Sequence, residues 1–476
     1  MSVLLICIAL LLSLSGIPTA TADSNAAEDL TGLCTFDFGT NRDAKYILLN
    51  DPQAYQTFRS QTSFSMTWEN SLESARLCIQ WQTVPEDVRV LQYDADETLL
   101  TDETLSPYYE TITPLLPEAR KAVVQAGETD MRLISVAVYG AGELPEPFHE
   151  WQETPDHLDY LLISSHPDDD VLYLGSIVPT YGAERGYVGT IIYVTASTRG
   201  RVSEAENGAW AMGLRCRPVF FGMQDMGRYV SKQQRQSFPY AELVKKTVRA
   251  YRSMRPVVVF AQDLKGEYGH WMHKLTAKAA REAFRLAEDP DYDPESAEQY
   301  GTWQVQKLFL HLYKENKLMI EAHAPLQFFD GLDSYEVACK AYKKHVSQQR
   351  FHFRVTRDNK KNAFNRFGMA EGVVPVGEDV FDQIDETLLS DYVPPTPEPT
   401  AEPTPKPSET PEPVLTAKPT PTAAPSGSPA PEQGRIAFDP VPLYRIAAVT
   451  AAAALVAGIV AFAVSKRYLR RNRHDS

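Results

Sequence analysis

The chain has 476 residues, 43% of them hydrophobic, and its 62 acidic side chains against 47 basic ones give a formal charge of −15. That length allows two or three domains with cores of their own, and that apolar fraction excludes a wholly disordered chain. The acidic excess excludes a nucleic-acid backbone as the main partner, because phosphate binding needs clustered Lys and Arg.

In chain order, residues 1–22 predict a signal peptide. An apolar run from Val3 to Leu14 is too short to span a bilayer, Gly16 and Pro18 break it, and Ala20-Thr21-Ala22 offers a small-x-small cleavage site. An uncleaved anchor or a buried helix is the other reading of this run. Residues 28–148 predict an antiparallel β-sandwich, because "ARLCIQWQ", "VRVLQYDADETLL" and "MRLISVAVYG" are strand-like, bounded by turn formers and free of helical periodicity. Cys34 and Cys78 fall in this segment. Either they pair, closing a loop worth about 4 kcal/mol, or all four cysteines after Cys7 stay free; no C-x-x-C spacing points to a thiolate metal site.

Residues 155–390 have a different texture. Buried-strand runs ("YLLISS", "GTIIYVTAS", "RPVVVFAQD") alternate with helical segments such as "YAELVKKTVRAYRSM". This predicts an α/β domain with a mostly parallel sheet covered by helices on both faces. Ligands of such sheets bind at the carboxyl ends of the strands, which gathers His166, Asp168, Asp169, Thr195, Asp225 and Asp263 as candidates for one crevice.

Residues 392–435 are so rich in Pro and Thr that they predict an extended stalk, roughly 3.1 Å per residue. Residues 446–464 are uncharged and mostly apolar, enough to cross about 30 Å of hydrocarbon as a helix. The tail 465–476 follows with Lys466, Arg467, Arg470, Arg471 and Arg473, which the positive-inside rule keeps in the cytoplasm. The expected localisation is therefore the cell membrane, single-pass, with an extracellular N-terminal ectodomain.

Two stretches concentrate chemistry, "SSHPDDDVLYLG" and "GEYGHWMHKLTAKAA". Three adjacent carboxylates repel one another, so their pKa values are driven apart unless a cation sits among them. His270 and His273 stand three apart where a loop turns into a helix, and so share a face. One of these imidazoles, with His166 and one aspartate, makes a two-histidine, one-carboxylate set with a position open for water, a common catalytic zinc arrangement. The same set also suits an iron oxygenase, although the α/β alternation around His166 argues against the jelly rolls that usually hold one.

These segments resemble the PIG-L/LmbE-like family of zinc-dependent N-deacetylases, of the N-acetylglucosaminyl deacetylase type. The family's strand followed by His-Pro-Asp-Asp-Glu is matched by His166-Pro167-Asp168-Asp169, with Asp170 in place of Glu. "YVTAS", Arg201-x-x-Glu204 and Met212-Gly213 continue the match. "RPVVVFAQDLKGEYGHWMH" follows, with Trp271-Met272 where members often carry Pro-Asp, and "AYKKHVSQQ" resembles a late segment through His345, Ser347 and Gln348. The resemblance covers roughly residues 158–370 and implies a Rossmann-like sheet with flanking helices.

It further implies Zn2+ held by His166, Asp169 and His273, with Asp168 as the general base that takes a proton from the attacking water. His270 and Tyr268 would face the oxyanion or the departing amine. Arg201, Asp263 and His345 stand as substrate-binding candidates, a surface ion pair with Glu204 being the other reading of Arg201. The implied activity is removal of the N-acetyl group from an N-acetylglucosamine-type sugar or glycoconjugate; the other reading is a noncatalytic glycan-binding surface protein. The N-terminal segment resembles galactose-binding-like jelly rolls, through Cys34, "KYILLNDP" and "RLISVAVYG", which leaves it a sugar-binding or a spacer domain. The sequence does not set the oligomeric state.

Overall fold

The computed structural model describes residues 25–39, 47–48, 55–196, 198–357 and 360–390. The expected signal peptide, linker, span and tail lie outside them. Among the described residues no helix is long and apolar enough to cross a membrane. The expected single-pass membrane localisation is corrected accordingly, since no described element supports it.

Nine strands build the N-terminal part: β1 (Thr35–Asp37), β2 (Gln56–Phe58), β3 (Ser63–Thr67), β4 (Arg76–Trp81), β5 (Arg89–Tyr93), β6 (Leu99–Thr104), β7 (Glu110–Pro114), β8 (Lys121–Gln125) and β9 (Met131–Tyr139). They form two antiparallel sheets, ordered β1-β3-β8-β5-β6 and β2-β9-β4-β7. Alternation decides the layering: Phe64, Met66, Val90 and Val124 from the first sheet meet Leu77, Ile79, Trp81 and Val136 from the second in one core. Cys34 and Cys78 are free thiols, as are Cys216 and Cys339.

The second part carries β10 (Leu158–Ser164), α1 (Asp169–Leu174), β11 (Gly189–Tyr193), α2 (Arg199–Ala211), β12 (Val219–Phe220), α3 (Lys232–Ser237), α4 (Tyr240–Met254), β13 (Pro256–Ala261), α5 (Trp271–Leu286), α6 (Pro294–Tyr300), β14 (Lys307–His311), β15 (Lys317–Met319), α7 (Ser334–Tyr342) and β16 (Arg366–Gly372). The sheet order is β12-β11-β10-β13-β14-β16-β15, parallel from β12 to β14 and antiparallel at β16 and β15. Every residue of β10 and β13 is buried because both faces are covered, which explains their continuous apolar runs. Tyr160 and Leu162 face a core shared with α1, α2 and α7, whereas Leu161 and Ile163 face one shared with α4 and α5. Helix α5 forms because Met272, Leu275, Thr276, Ala279, Ala280 and Ala283 recur at helical spacing and bury one stripe.

From β10 the chain moves outward through β11 and β12, then returns to the other side of β10 as β13. The topological switch point therefore lies between β10 and β13, where a doubly wound sheet opens a crevice at its strand ends.

The two parts meet across charged side chains. Glu110 of β7 and Glu206 of α2 are both buried at this boundary, with Arg199 Nη2 3.8 Å from Glu110 and Arg217 Nη1 3.2 Å from Glu206. Burial pushes the Glu206 carboxyl up to about 8, Arg217 opposing and Glu110 adding to it. A carboxyl whose folded pKa lies above its unfolded value near 4.5 holds its proton longer when folded. Its contribution to stability is thus complete below about pH 4.5 and lost as pH rises through about 8, at no more than about 1.4 kcal/mol per pH unit. Urea midpoints measured from pH 5 to 8 are expected to fall in wild type and to flatten in Glu206→Gln. An equal decline in both proteins would assign it to another group.

Candidate active and metal-binding site

The strand-to-helix turn after β10 sends its three aspartates in three directions. Asp168 has φ +120°, a conformation that L-residues rarely adopt and that costs of order 1–3 kcal/mol. Two bonds hold it there: its N–H donates to Asp170 Oδ1 (3.1 Å), and Arg201 Nη2 donates to the Pro167 carbonyl. The strained turn puts the Asp168 carboxylate into the crevice, 3.2 Å from Arg201 Nη2. Asp170 is fully buried instead, accepting from the Tyr193 hydroxyl at 2.8 Å and so tying α1 to β11. Its position bears on packing, where a shorter side chain than Glu is accommodated.

Asp169 turns toward the histidines. Its Oδ2 lies 2.7 Å from His166 Nδ1 and 3.1 Å from His273 Nε2, and those two nitrogens are 3.2 Å apart. Three donor atoms of two imidazoles and a carboxylate thus share one small triangle, which fits a divalent ion of the zinc type. The far nitrogen of each imidazole is occupied. His166 Nε2 donates to Asp225 Oδ1 at 2.8 Å, and His273 Nδ1 donates to Glu267 Oε2 at 2.7 Å. With those nitrogens protonated, the lone pairs of His166 Nδ1 and His273 Nε2 point into the triangle. His270, whose ring centroid is 4.6 Å from that of His273 and 4.7 Å from that of His166, also belongs to a three-histidine group that could hold an ion. The ligand atoms of that group lie within 4.8 Å of one another and carry no carboxylate charge, whereas the triangle with Asp169 closes at 2.7 to 3.2 Å and includes one.

The charges agree with this geometry. Burial alone would raise Asp169, but His273 and His166 outweigh it and hold the carboxyl well below its usual range. Burial works against protonating His166 and His273, yet the Asp169 charge lifts them to about 10 and about 9. Protons and a metal ion compete for the same lone pairs, so metal affinity falls as pH falls. Asp168 is pushed up to about 8 by burial and by Asp169, against Arg201 and His166. Burial, together with His166 and His273, depresses His270 to about 4, which keeps it neutral.

A cavity of about 350 Å³ opens over this cluster, lined by His166, Asp168, Asp169, Arg201, Tyr268 and His270 among the expected residues. His273 sits beneath it, fully buried. Asp263 and His345 are not among the residues that line it. The Asp263 carboxylate accepts from the Lys265 N–H and shapes the turn leading to Glu267, while His345 is buried against Gly208, where a Cβ would stand 2.6 Å from its Nε2. Arg201 pairs with Glu204 (2.7 Å), reaches Asp168 (3.2 Å) and lines the cavity.

Sequence reasoning missed Glu267 and His311. Glu267 Oε1 receives His311 Nδ1 at 2.6 Å, and His311 Nε2 lies 2.9 Å from the Ala363 carbonyl. Burial would raise Glu267, but hydrogen bonds from His273 and His311 bring it down to about 2. The available signal was His311's place at the end of the strand "KLFLH". Because Glu267→Gln cannot accept at both positions, it is expected to weaken zinc binding about 10- to 100-fold while the ligands remain. Competition with a fluorescent chelator measures this, and unchanged affinity would remove Glu267 from the set that orients His273.

The fold and this cluster define the class: a doubly wound α/β protein with a histidine–aspartate metal-type pocket at its switch point. Residues 161–284 match the model of the family described as PIG-L: GlcNAc-PI de-N-acetylase, and the chain carries a domain of that family. It is 28% identical over 187 residues to a 1D-myo-inositol 2-acetamido-2-deoxy-alpha-D-glucopyranoside deacetylase 1 of Catenulispora acidiphila, covering 33% of this chain and 57% of that protein. A protein of the corresponding name in Geodermatophilus obscurus is 29% identical over 178 residues, covering 31% and 59%. The chain thus spans less than three fifths of these curated relatives. Among solved structures, the N,N'-diacetylchitobiose deacetylase of Pyrococcus horikoshii is similar with a TM-score of 0.32 and 19% identity, over 42% of this chain and 74% of that one.

Proposed function

We propose that the chain is a zinc-dependent N-deacetylase that hydrolyses the acetamide of an N-acetylglucosamine-type sugar or glycoconjugate. The carrying observation is the triangle of His166 Nδ1, Asp169 Oδ2 and His273 Nε2 beside the Asp168 carboxylate in one cavity. The names of the relatives above point to the same chemistry.

His166, Asp169 and His273 would hold a zinc ion, which would supply Lewis-acid chemistry for the amide carbonyl and the attacking water. The remaining work falls to side chains. Asp168 takes a proton from the water that attacks the carbonyl carbon, and a carboxyl raised toward neutrality is suited to return that proton to the leaving nitrogen. Arg201 holds Asp168 in place. His270, neutral, and Tyr268 provide hydrogen-bond donors where negative charge develops on the oxygen. The C–N bond then breaks, giving acetate and a free amine.

Incubating the zinc-loaded full chain with a panel of N-acetylated sugars and assaying acetate tests the proposal. Acetate release that stops on chelation is expected. Its absence across the panel would overturn the reading.

A further inference from the structure

Large aromatic side chains normally disappear into a core, yet Phe351 and Phe353 keep 44% and 38% of their surface in solvent. Both line the same cavity as Asp168 and His270. Their rings begin a continuous strip. Centroids are 6.4 Å apart from Phe351 to Phe353, 5.3 Å from Phe353 to Tyr268, and 5.6 Å from Tyr268 to His270 beside the ligand triangle. One end of the strip is at solvent and the other at the reacting centre.

The turn that leads into the two rings is pinned, and the Phe351 N–H donates to the Gln348 carbonyl at 2.9 Å. The Ser347 N–H and hydroxyl both donate to the Glu204 carboxylate, at 2.5 and 2.8 Å, Arg201 Nη1 donates to the same hydroxyl at 3.1 Å, and so does Gln348 Nε2 at 2.8 Å. The strip is therefore presented before any substrate arrives, which lowers the ordering cost of binding. Two exposed phenyl rings expose apolar area that a ligand face would cover.

A pyranose has such a face. Its hydroxyls point outward around the rim while its axial C–H bonds make the two sides apolar, so it lies flat on an aromatic ring with its rim free for hydrogen bonds. Polar groups adjoin the rings: Gln348 lines the cavity, and the Arg350 guanidinium lies over one face of the Phe351 ring, 4.9 Å from its centroid. An alkyl chain would want apolar walls on all sides, and these neighbours are polar.

We propose that Phe351 and Phe353 form a second sugar subsite that takes the pyranose ring next to the one bearing the scissile acetamide, making an oligosaccharide the substrate class. The inference rests on the deacetylase reading for the placement of the first ring. Calorimetry on the zinc-loaded full chain carrying Asp168→Asn compares N-acetylglucosamine, N,N'-diacetylchitobiose and the octyl glycoside of N-acetylglucosamine. The disaccharide is expected to bind about tenfold tighter than the monosaccharide, the scale of one good aromatic contact. Adding Phe351→Leu and Phe353→Leu, which keep apolar bulk and remove the flat faces, is expected to bring that ratio near one. Equal affinities in the parent, an undiminished ratio in the leucine variant, tighter binding of the octyl glycoside than of the disaccharide, or no binding of either sugar would each overturn the subsite. Acetate release by the wild-type chain is read separately. A disaccharide preference without any acetate release keeps the subsite and removes the deacetylase, whereas acetate release without the preference does the reverse.

Discussion

Alanine at His166, Asp169 or His273 is expected to remove bound zinc and acetate release together, while His270→Ala keeps the metal. The reason is geometric. The first three residues supply atoms 2.7 to 3.2 Å from one another, and His270 joins only a group of three histidines whose ligand atoms lie within 4.8 Å of one another. Asp169 brings the only charge in that triangle, and a dication bound by two neutral imidazoles alone would lose that attraction. Removing one member of a buried charged cluster also costs about 3–5 kcal/mol, because it strands the partners; His273→Ala leaves Glu267 and Asp169 facing an empty space. Metal content is therefore measured on protein whose circular dichroism matches wild type, with His273→Gln as the milder companion. Stoichiometric zinc in all the ligand variants would refute the assignment, and loss of zinc in His270→Ala with retention in Asp169→Ala would move the site to the three histidines.

Asp168→Asn should behave differently. The amide has nearly the same size, and Asn tolerates a positive φ better than most residues, so the strained turn at +120° survives. Arg201 can still donate to the side-chain oxygen. What disappears is the ability to accept a proton from water, and losing a general base costs about 10²–10⁴ in rate. Turnover is expected to fall by that order with zinc content and fold intact, lowering kcat rather than raising KM. Near-normal turnover by the zinc-loaded variant would take the role away from Asp168, and the fully buried Asp170, bonded to Tyr193, could not assume it without leaving that bond.

Much of this architecture is local information. Parallel strands covered on both faces need unbroken apolar runs, so β10 and β13 are visible in "YLLIS" and "PVVVFA" by hydrophobicity alone. Helix α5 announces itself through the spacing of its buried residues; His166 and Asp169 stand out because they directly follow the buried run of β10, and His273 because it shares a helical face with His270. The N-terminal strands are likewise legible through their β-branched and aromatic content between turn formers. The rule that polar residues at strand ends share a crevice places chain positions but not side-chain directions. It gathered Asp263 with Asp168, although the turn after β13 folds the Asp263 carboxylate back onto the Lys265 N–H.

By itself, then, the sequence determined the alternation of strands and helices, the residue types available for metal and proton chemistry, and the stretches that carry them, since each depends on neighbours within a few positions. Tertiary structure alone decided their use. It made β10 and β13 adjacent, bringing His273 to His166 across 107 residues, and it matched Asp225 to His166 across 59 and His311 to Glu267 across 44. It also separated three consecutive aspartates into one that faces the cavity, one packed against the His166 and His273 imidazoles and one tied to Tyr193. Hydrogen-bond partners this distant leave no periodic trace in the chain. Their pairing is fixed by strand order and by the backbone dihedrals of the turns, which packing of the whole sheet imposes.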